Sequence, residues 1–190
     1  MDKDSIVLGS GKLFITDYVE GAEIPADSVI ETEENRIGYI KGGGTLEYKP
    51  EFYTAEDDLG RVSKTILTKE EAVLKTGLIT WCATTLEKLC TTGRVTTEGK
   101  KRTIKIGGVG NQTGKKYIIR FLHEDKEDGD IRITIVGNNQ AGFTLAMLKD
   151  EETTVDAEFK AHPMDKEGTL ITYTEDFNPA PEAAMEGPTV

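Results

Sequence analysis

The chain has 190 residues, of which 37% are hydrophobic and 30% charged, enough for one domain with a full hydrophobic core but short for two. Its formal net charge of −11 argues against binding nucleic acid through clustered Lys and Arg. No apolar run approaches the roughly 20 residues that cross a bilayer, so we expect no membrane span.

The first third of the chain carries a strand signal followed by a long polar stretch. Residues 37–40 precede three glycines, and residues 45–64 then place Tyr48, Phe52 and Tyr53 among many charges. In a compact domain such a stretch, over about residues 42–64, predicts either a long functional loop or an excursion of the chain that packs on a neighbour.

Residues 69–80 fit two kinds of secondary structure. Thr68 and Glu71 could form a capping box at the start of a helix. However, Gly77 and the β-favouring residues 78–80 weaken a helix at this place. We therefore predict a strand.

Residues 81–90 predict one flanking helix, which ends at Gly93 and packs against a sheet. Its apolar stripe consists of Cys82, Leu86, Leu89 and Cys90. Eight residues of helix separate the two cysteines by about 12 Å, which excludes a disulfide between them. We therefore expect both to be free thiols buried as small apolar side chains.

Apolar and polar residues alternate at period two in the second half of the chain, which predicts short strands with one face in a core. The alternating segments are residues 104–106, 131–135 and 155–161. Residues 117–122 are apolar on both faces apart from Arg120, which predicts a central strand. The pair Asp128-Gly129 predicts a hairpin that joins this strand to residues 131–136.

Short strands separated by turn signals predict a mainly β fold, either a β-sandwich or a barrel, as a single domain over residues 1–175. The turn signals lie at residues 111–114, 128–129, 137–139 and 165–168. Residues 176–190 contain three prolines and little apolar bulk, which predicts a flexible tail.

Candidate chemical motifs lack the context that their chemistry requires. The glycines of residues 107–114 precede a predicted strand, whereas a phosphate-binding loop needs a helix there. The acidic residues 124–130 lack the alternating ligands and the closing glutamate of a calcium loop. No recognisable nucleophile accompanies His123 or His162. Together with the two helical cysteines, these histidines lack the ligand spacing of a zinc site. We expect no catalytic residue, cofactor or metal.

Short segments spread along the chain carry a resemblance to a known family. They are Leu8-Gly9-Ser10-Gly11-Lys12-Leu13, Ile37-Gly38-Tyr39-Ile40, Gly43-Gly44-Thr45-Leu46-Glu47-Tyr48, Asp57-Asp58-Leu59-Gly60, Val136-Gly137-Asn138-Asn139 and Glu167-Gly168-Thr169-Leu170-Ile171. In this order they resemble the major tail tube proteins of siphophage-like tailed bacteriophages of Gram-positive hosts. The similarity covers about residues 5–174, and the order of the segments carries it rather than a single motif.

The resemblance implies a β-sandwich with one flanking helix that serves as a structural protein of the virion tail. Copies made in the bacterial host cytoplasm would self-assemble into hexameric rings that stack into a tube. Phage DNA would pass through the tube without specific binding. Other implied partners are the tape measure, tail terminator and distal tail proteins, with no membrane involved.

The resemblance also places the contacts between rings, because a long loop that reaches the adjacent ring matches residues 44–60. We assign ring stacking to Leu46, Tyr48, Phe52, Tyr53, Asp57 and Asp58. The alternative is that the apolar members of this set pack on their own domain.

The lumen of such tubes tends to be negative, and we assign Asp156 and Glu158 to it. A simpler interpretation of the acidic composition is that it keeps an abundant protein soluble. The competing function is a carbohydrate-binding or other surface β-sandwich module, which predicts a monomer with a ligand cleft. An enzyme would need clustered titratable residues, which the sequence does not suggest.

Overall fold

The computed structural model describes residues 9–147, 149–150 and 152–176. Apart from Asp176, the predicted flexible tail lies outside these residues. The described elements are β1 (Lys12–Asp17), α1 (Asp27–Ile30), β2 (Arg36–Gly38), β3 (Ile40–Glu56), β4 (Ser63–Leu78), α2 (Ala83–Lys88), β5 (Arg94–Glu98), β6 (Lys101–Lys105), a 3₁₀ turn (Val109–Asn111), β7 (Tyr117–His123), β8 (Ile131–Asn139), β9 (Val155–His162) and β10 (Thr172–Glu175).

Eight strands form one antiparallel sheet in the order β2-β1-β7-β8-β9-β4-β3, with β10 paired to the first half of β8. Strands β5 and β6 form a separate hairpin. The mainly β fold is therefore confirmed, as is the hairpin of β7 and β8 around Asp128-Gly129.

The large sheet curls so that its two halves face each other across one core. A side chain at Gly44 of β3 would approach the ring of Phe121 of β7 to within 2.8 Å. In a flat sheet four strand spacings, about 19 Å, would separate these two strands. The fold is therefore sandwich-like, and its inner layer includes Leu13, Leu74 and Phe159.

The outer face of β1, β7 and β8 carries a second, smaller core. Phe14, Ile118 and Val136 pack there with Ile30 of α1 and Met164. Because both faces of β7 are covered, every residue of this strand is buried, which confirms the predicted central strand.

The predicted flanking helix is present as α2, which is shorter than residues 81–90. Cys82 lies immediately before the helix and is exposed, whereas Cys90 lies beyond it and is half-buried. The prediction that both cysteines are buried is therefore wrong. Only Leu86 and Leu89 of the stripe reach the core, because the helix is too short to present the rest. The four-residue helix α1 was not predicted.

The predicted turn at residues 137–139 is wrong, because β8 continues through this segment. Gly137 lies against the carbonyl of Lys160 in β9, where any Cβ would overlap that oxygen. A glycine here serves close strand contact rather than a turn. The expectation of a core face in residues 104–106 also fails, since Ile106 is 51% exposed beside the separate β5–β6 hairpin.

The predicted long loop over residues 42–64 is wrong, since β3 and β4 pair as a hairpin from Ile40 opposite Leu78 to Glu56 opposite Ser63. The physical reason is that most of this segment buries neither face in its own chain. The alternation of buried and exposed residues that identifies a strand is therefore absent.

Candidate functional site

The outer half of the β3–β4 hairpin projects beyond the sheet. Residues 73–78 of β4 lie between β3 and β9, whereas residues 63–72 pair only with β3. We call residues 49–56 and 63–70 the distal hairpin. At about 3.3 Å per residue each of its arms is about 25 Å long, and all of its residues are exposed.

Both faces of the distal hairpin carry an exposed apolar pair. Phe52 lies opposite Leu67, and Tyr53 lies opposite Ile66. Because neighbouring residues of a strand point to opposite faces, the two pairs lie on different faces. Phe52 is 62% exposed and Tyr53 59%. Water therefore contacts apolar groups on both sides of a two-stranded ribbon, an arrangement that is marginally stable alone.

Polar contacts fix the shape of the ribbon. A bulge follows Glu51. The carbonyl of Glu51 accepts a 3.1 Å hydrogen bond from the hydroxyl of Thr68. The hydroxyls of Thr54 and Thr65 lie 2.9 Å apart across the two strands. The ribbon thus has a defined register although no third strand supports it.

The turn at the tip is held by Asp57, whose carboxylate accepts a 2.8 Å hydrogen bond from the backbone N–H of Val62. That bond keeps the pKa of Asp57 below its usual value. Gly60 supplies the positive φ of 66° that the turn requires. The tip is therefore ordered by its own residues, with Asp58 exposed beside them.

The residues predicted to contact other copies thus divide into two groups. Phe52, Tyr53 and Asp58 lie on the exposed ribbon or its tip, and Asp57 is engaged in the turn. Leu46 packs against the core of its own chain. Tyr48 lies nearer the sheet, is 50% exposed and donates a hydrogen bond to Glu70.

Asp156 and Glu158 lie on β9, on the face opposite the core, and this face carries alternating charges. Its lysines each contact a carboxylate. The contacts are Lys75 with Glu47 (3.0 Å) and Glu158 (3.8 Å), Lys160 with Glu71 (3.0 Å), Lys69 with Glu71 (2.7 Å) and Glu51 (3.2 Å), and Lys49 with Glu47 (2.8 Å). This face is charge-balanced rather than strongly acidic.

A buried ionic network that the sequence analysis missed joins α1 to the middle of the sheet. Arg120, 5% exposed, contacts Asp27 at 2.6 Å, Glu31 at 2.8 Å and the hydroxyl of Thr134 at 2.6 Å. Arg132 contacts Glu31 at 2.9 Å. The available signal was Arg120 itself, a single charge in an otherwise apolar strand.

The same network reaches the last described strand, because Arg132 also contacts Asp130 at 3.2 Å and Asp176 at 2.8 Å. The backbone N–H of Asp176 donates a 2.9 Å hydrogen bond to the carbonyl of Asp130. Asp176 is therefore part of the folded unit, one residue beyond the predicted domain boundary.

Within residues 9–147, 149–150 and 152–176, no group of three His, Cys, Asp or Glu side chains could hold a metal ion. No helix in this part of the chain is long and apolar enough to cross a bilayer. A scan against models of known protein families finds no match, and a search of curated proteins also finds none.

Proposed function

We propose that this protein is a non-catalytic structural subunit that self-assembles into the stacked rings of a phage tail tube. One observation carries the proposal: the distal hairpin exposes an apolar pair on each face, and its four apolar side chains are 47% to 62% exposed. The sequence resemblance to tail tube proteins supplies the identity of the assembly.

Burial in an assembly gives the distal hairpin a physical rationale. Contiguous apolar side chains on a soluble protein typically mark an interaction surface. An isolated two-stranded hairpin is marginally stable, so contact with a second copy would stabilise Phe52, Tyr53 and the ribbon that holds them. In the proposed tube this hairpin reaches the adjacent ring, which is the role that the sequence analysis gave to a loop.

The outer edge of the large sheet supports lateral assembly. Among the described strands β3 pairs only with β4, so its other edge, along Ile40–Glu56, is open to pairing with another chain. Open edges favour pairing with another chain, and a closed ring removes them. In the proposed ring each β3 edge meets the sheet of the next copy.

The face of β3, β4 and β9 opposite the core, where lysines pair with carboxylates, is the proposed lumen wall. DNA binds tightly where unpaired Lys and Arg neutralise its phosphates. On this face Lys49, Lys69, Lys75 and Lys160 each contact a carboxylate, and Asp156 adds a negative charge. Such a wall offers phosphates little attraction, which suits a conduit for passing DNA.

Substitution of Phe52→Ala together with Tyr53→Ala tests the proposal. We expect wild-type protein at high concentration to form rings or tubes in negative-stain micrographs, and the double variant to stay monomeric with an unchanged far-UV circular dichroism spectrum. Tyr173→Ala, which removes an aromatic side chain of similar exposure away from the distal hairpin, is the matched control and should assemble. Normal tubes from the folded double variant would contradict the proposed role of the distal hairpin.

A further inference from the structure

One region of this acidic protein is strongly basic. Residues 94–116 hold seven of its 23 Lys and Arg residues but one of its 34 Asp and Glu residues. Five of those cations lie on the β5–β6 hairpin, residues 94–105, which we call the basic hairpin. They are Arg94, Lys100, Lys101, Arg102 and Lys105.

The basic hairpin stands clear of the large sheet. Its substantial contacts among the described elements are with α2, and residues 96–103 are all exposed. Its base is fixed, because the N–H of Val95 donates to Glu87 at 3.3 Å and the N–H of Gly107 donates to Thr92 at 3.1 Å. The hairpin is thus a positioned arm rather than part of the core.

Its cations lack carboxylate partners within the described part of the chain, where the ion pairs involve other Lys and Arg residues. Arg94 lies directly opposite Lys105 in the strand register, whereas Lys101 lies opposite Glu98, the one carboxylate of the hairpin. Like charges directly across an antiparallel pair are destabilising. An anionic group over this hairpin would relieve that repulsion, so the arrangement favours an acidic partner.

A matching acidic surface lies at the opposite end of β7. The turn between β7 and β8, residues 124–130, has five carboxylates in seven residues, and we call it the acidic turn. Two of the five pair with cations of the same chain, Glu124 with Lys12 and Asp130 with Arg132. The shape of the turn is set by Asp125, which accepts hydrogen bonds from the N–H groups of Glu127 (2.8 Å) and Asp128 (3.0 Å). The seven residues of β7 hold this turn about 20 Å from Lys116, the last residue of the basic region 94–116.

We propose that the basic hairpin of one copy binds the acidic turn of a second copy, so that subunits associate head to tail. The two surfaces are different and lie apart, so each copy can use both at once, and the contact continues from subunit to subunit. A second copy fits better than nucleic acid, because the rest of the chain is acidic and repels phosphates. The inference requires self-association but not the tube.

Charge reversal tests the contact. One variant carries Lys100→Glu with Arg102→Glu, neither of which lies opposite Glu98, and a second carries Glu127→Lys, which keeps the Lys12–Glu124 ion pair. In sedimentation at about 50 mM salt, we expect each variant alone to associate at least about tenfold more weakly than wild type. A mixture of the two should recover association to within about threefold of wild type, because each reversed surface then meets its complement.

The matched control reverses two exposed lysines elsewhere, Lys149→Glu with Lys166→Glu, and should leave association unchanged. Thermal melts establish that all variants fold. The proposal is overturned if wild type is monomeric at low salt, if the basic-hairpin variant associates as wild type does, or if the mixture fails to recover. Binding of a duplex DNA fragment to monomeric wild type, lost in the basic-hairpin variant, would instead assign the hairpin to nucleic acid.

The outcomes are separable from those of the tube proposal. Head-to-tail association without tubes would leave this inference standing while the tube proposal fails. Tubes that form from the basic-hairpin variant would overturn this inference and leave the tube proposal standing.

Discussion

Arg120 illustrates how one residue departs from the pattern of its strand. It lies in β7 among apolar neighbours, and its guanidinium is neutralised by Asp27 and Glu31. A buried charge requires such partners, since an unpaired one is costly to remove from water. The sequence marks Arg120 as unusual, but its partner Glu31 lies 89 residues away, and only the fold brings the two together.

We expect Arg120→Ala to lower the free energy of unfolding by about 3 kcal/mol, because it removes the buried cation that Asp27 and Glu31 share and leaves Glu31 with Arg132 alone. Urea denaturation measures the change. Lys12→Ala removes a surface ion pair with Glu124 and should cost less than about 1 kcal/mol. Equal stabilities of the two variants would contradict the buried role of Arg120.

At the scale of elements, strands with one face in the core were predictable and the distal hairpin was not. In β9, Val155, Ala157 and Phe159 are buried while Asp156 is exposed, which is the alternation that the sequence displays. In the distal hairpin both faces are exposed, so hydrophobic alternation gives no signal and the segment resembles a loop.

The residues predicted to contact other copies show the same limit of sequence-based prediction. The aromatic rings of Phe52 and Tyr53 among many charges indicated a surface with a role, and both are exposed on the ribbon. Leu46 belongs to the same sequence segment but packs on its own core. Sequence alone does not separate these cases, because both are apolar residues at strand positions.

The ion pair between Glu71 of β4 and Lys160 of β9 should weaken in acid. Hydrogen bonds from Lys69 and Lys160 lower the pKa of Glu71 from 4.5 to about 2. Because this pKa is depressed in the folded state, the stabilisation is present above pH 4.5 and is lost as the pH falls to about 2. Glu71→Gln should therefore melt below wild type at neutral pH.

Thermal melts at several pH values measure this difference in Tm, which should narrow through the acid range and vanish near pH 2. Glu167→Gln, at an exposed position away from the ion pairs of β3, β4 and β9, should melt like wild type throughout. A gap between Glu71→Gln and wild type that stays constant with pH would show that the carboxylate charge is not responsible.

The molecule as a whole combines several surfaces that contact with other copies would cover. A long ribbon exposes apolar pairs, an edge strand is open, and the basic hairpin and the acidic turn lie at opposite ends of β7. Each feature would be a liability for an isolated monomer at high concentration. Together they support the proposed self-association.

Negative-stain electron microscopy of concentrated wild-type protein tests the central claim most directly. The account predicts rings of uniform diameter that stack into hollow tubes. In such tubes the distal hairpin, the β3 edge, the basic hairpin and the acidic turn would all be covered. Persistent monomers that bind glycans would contradict it and would favour a surface-binding module instead.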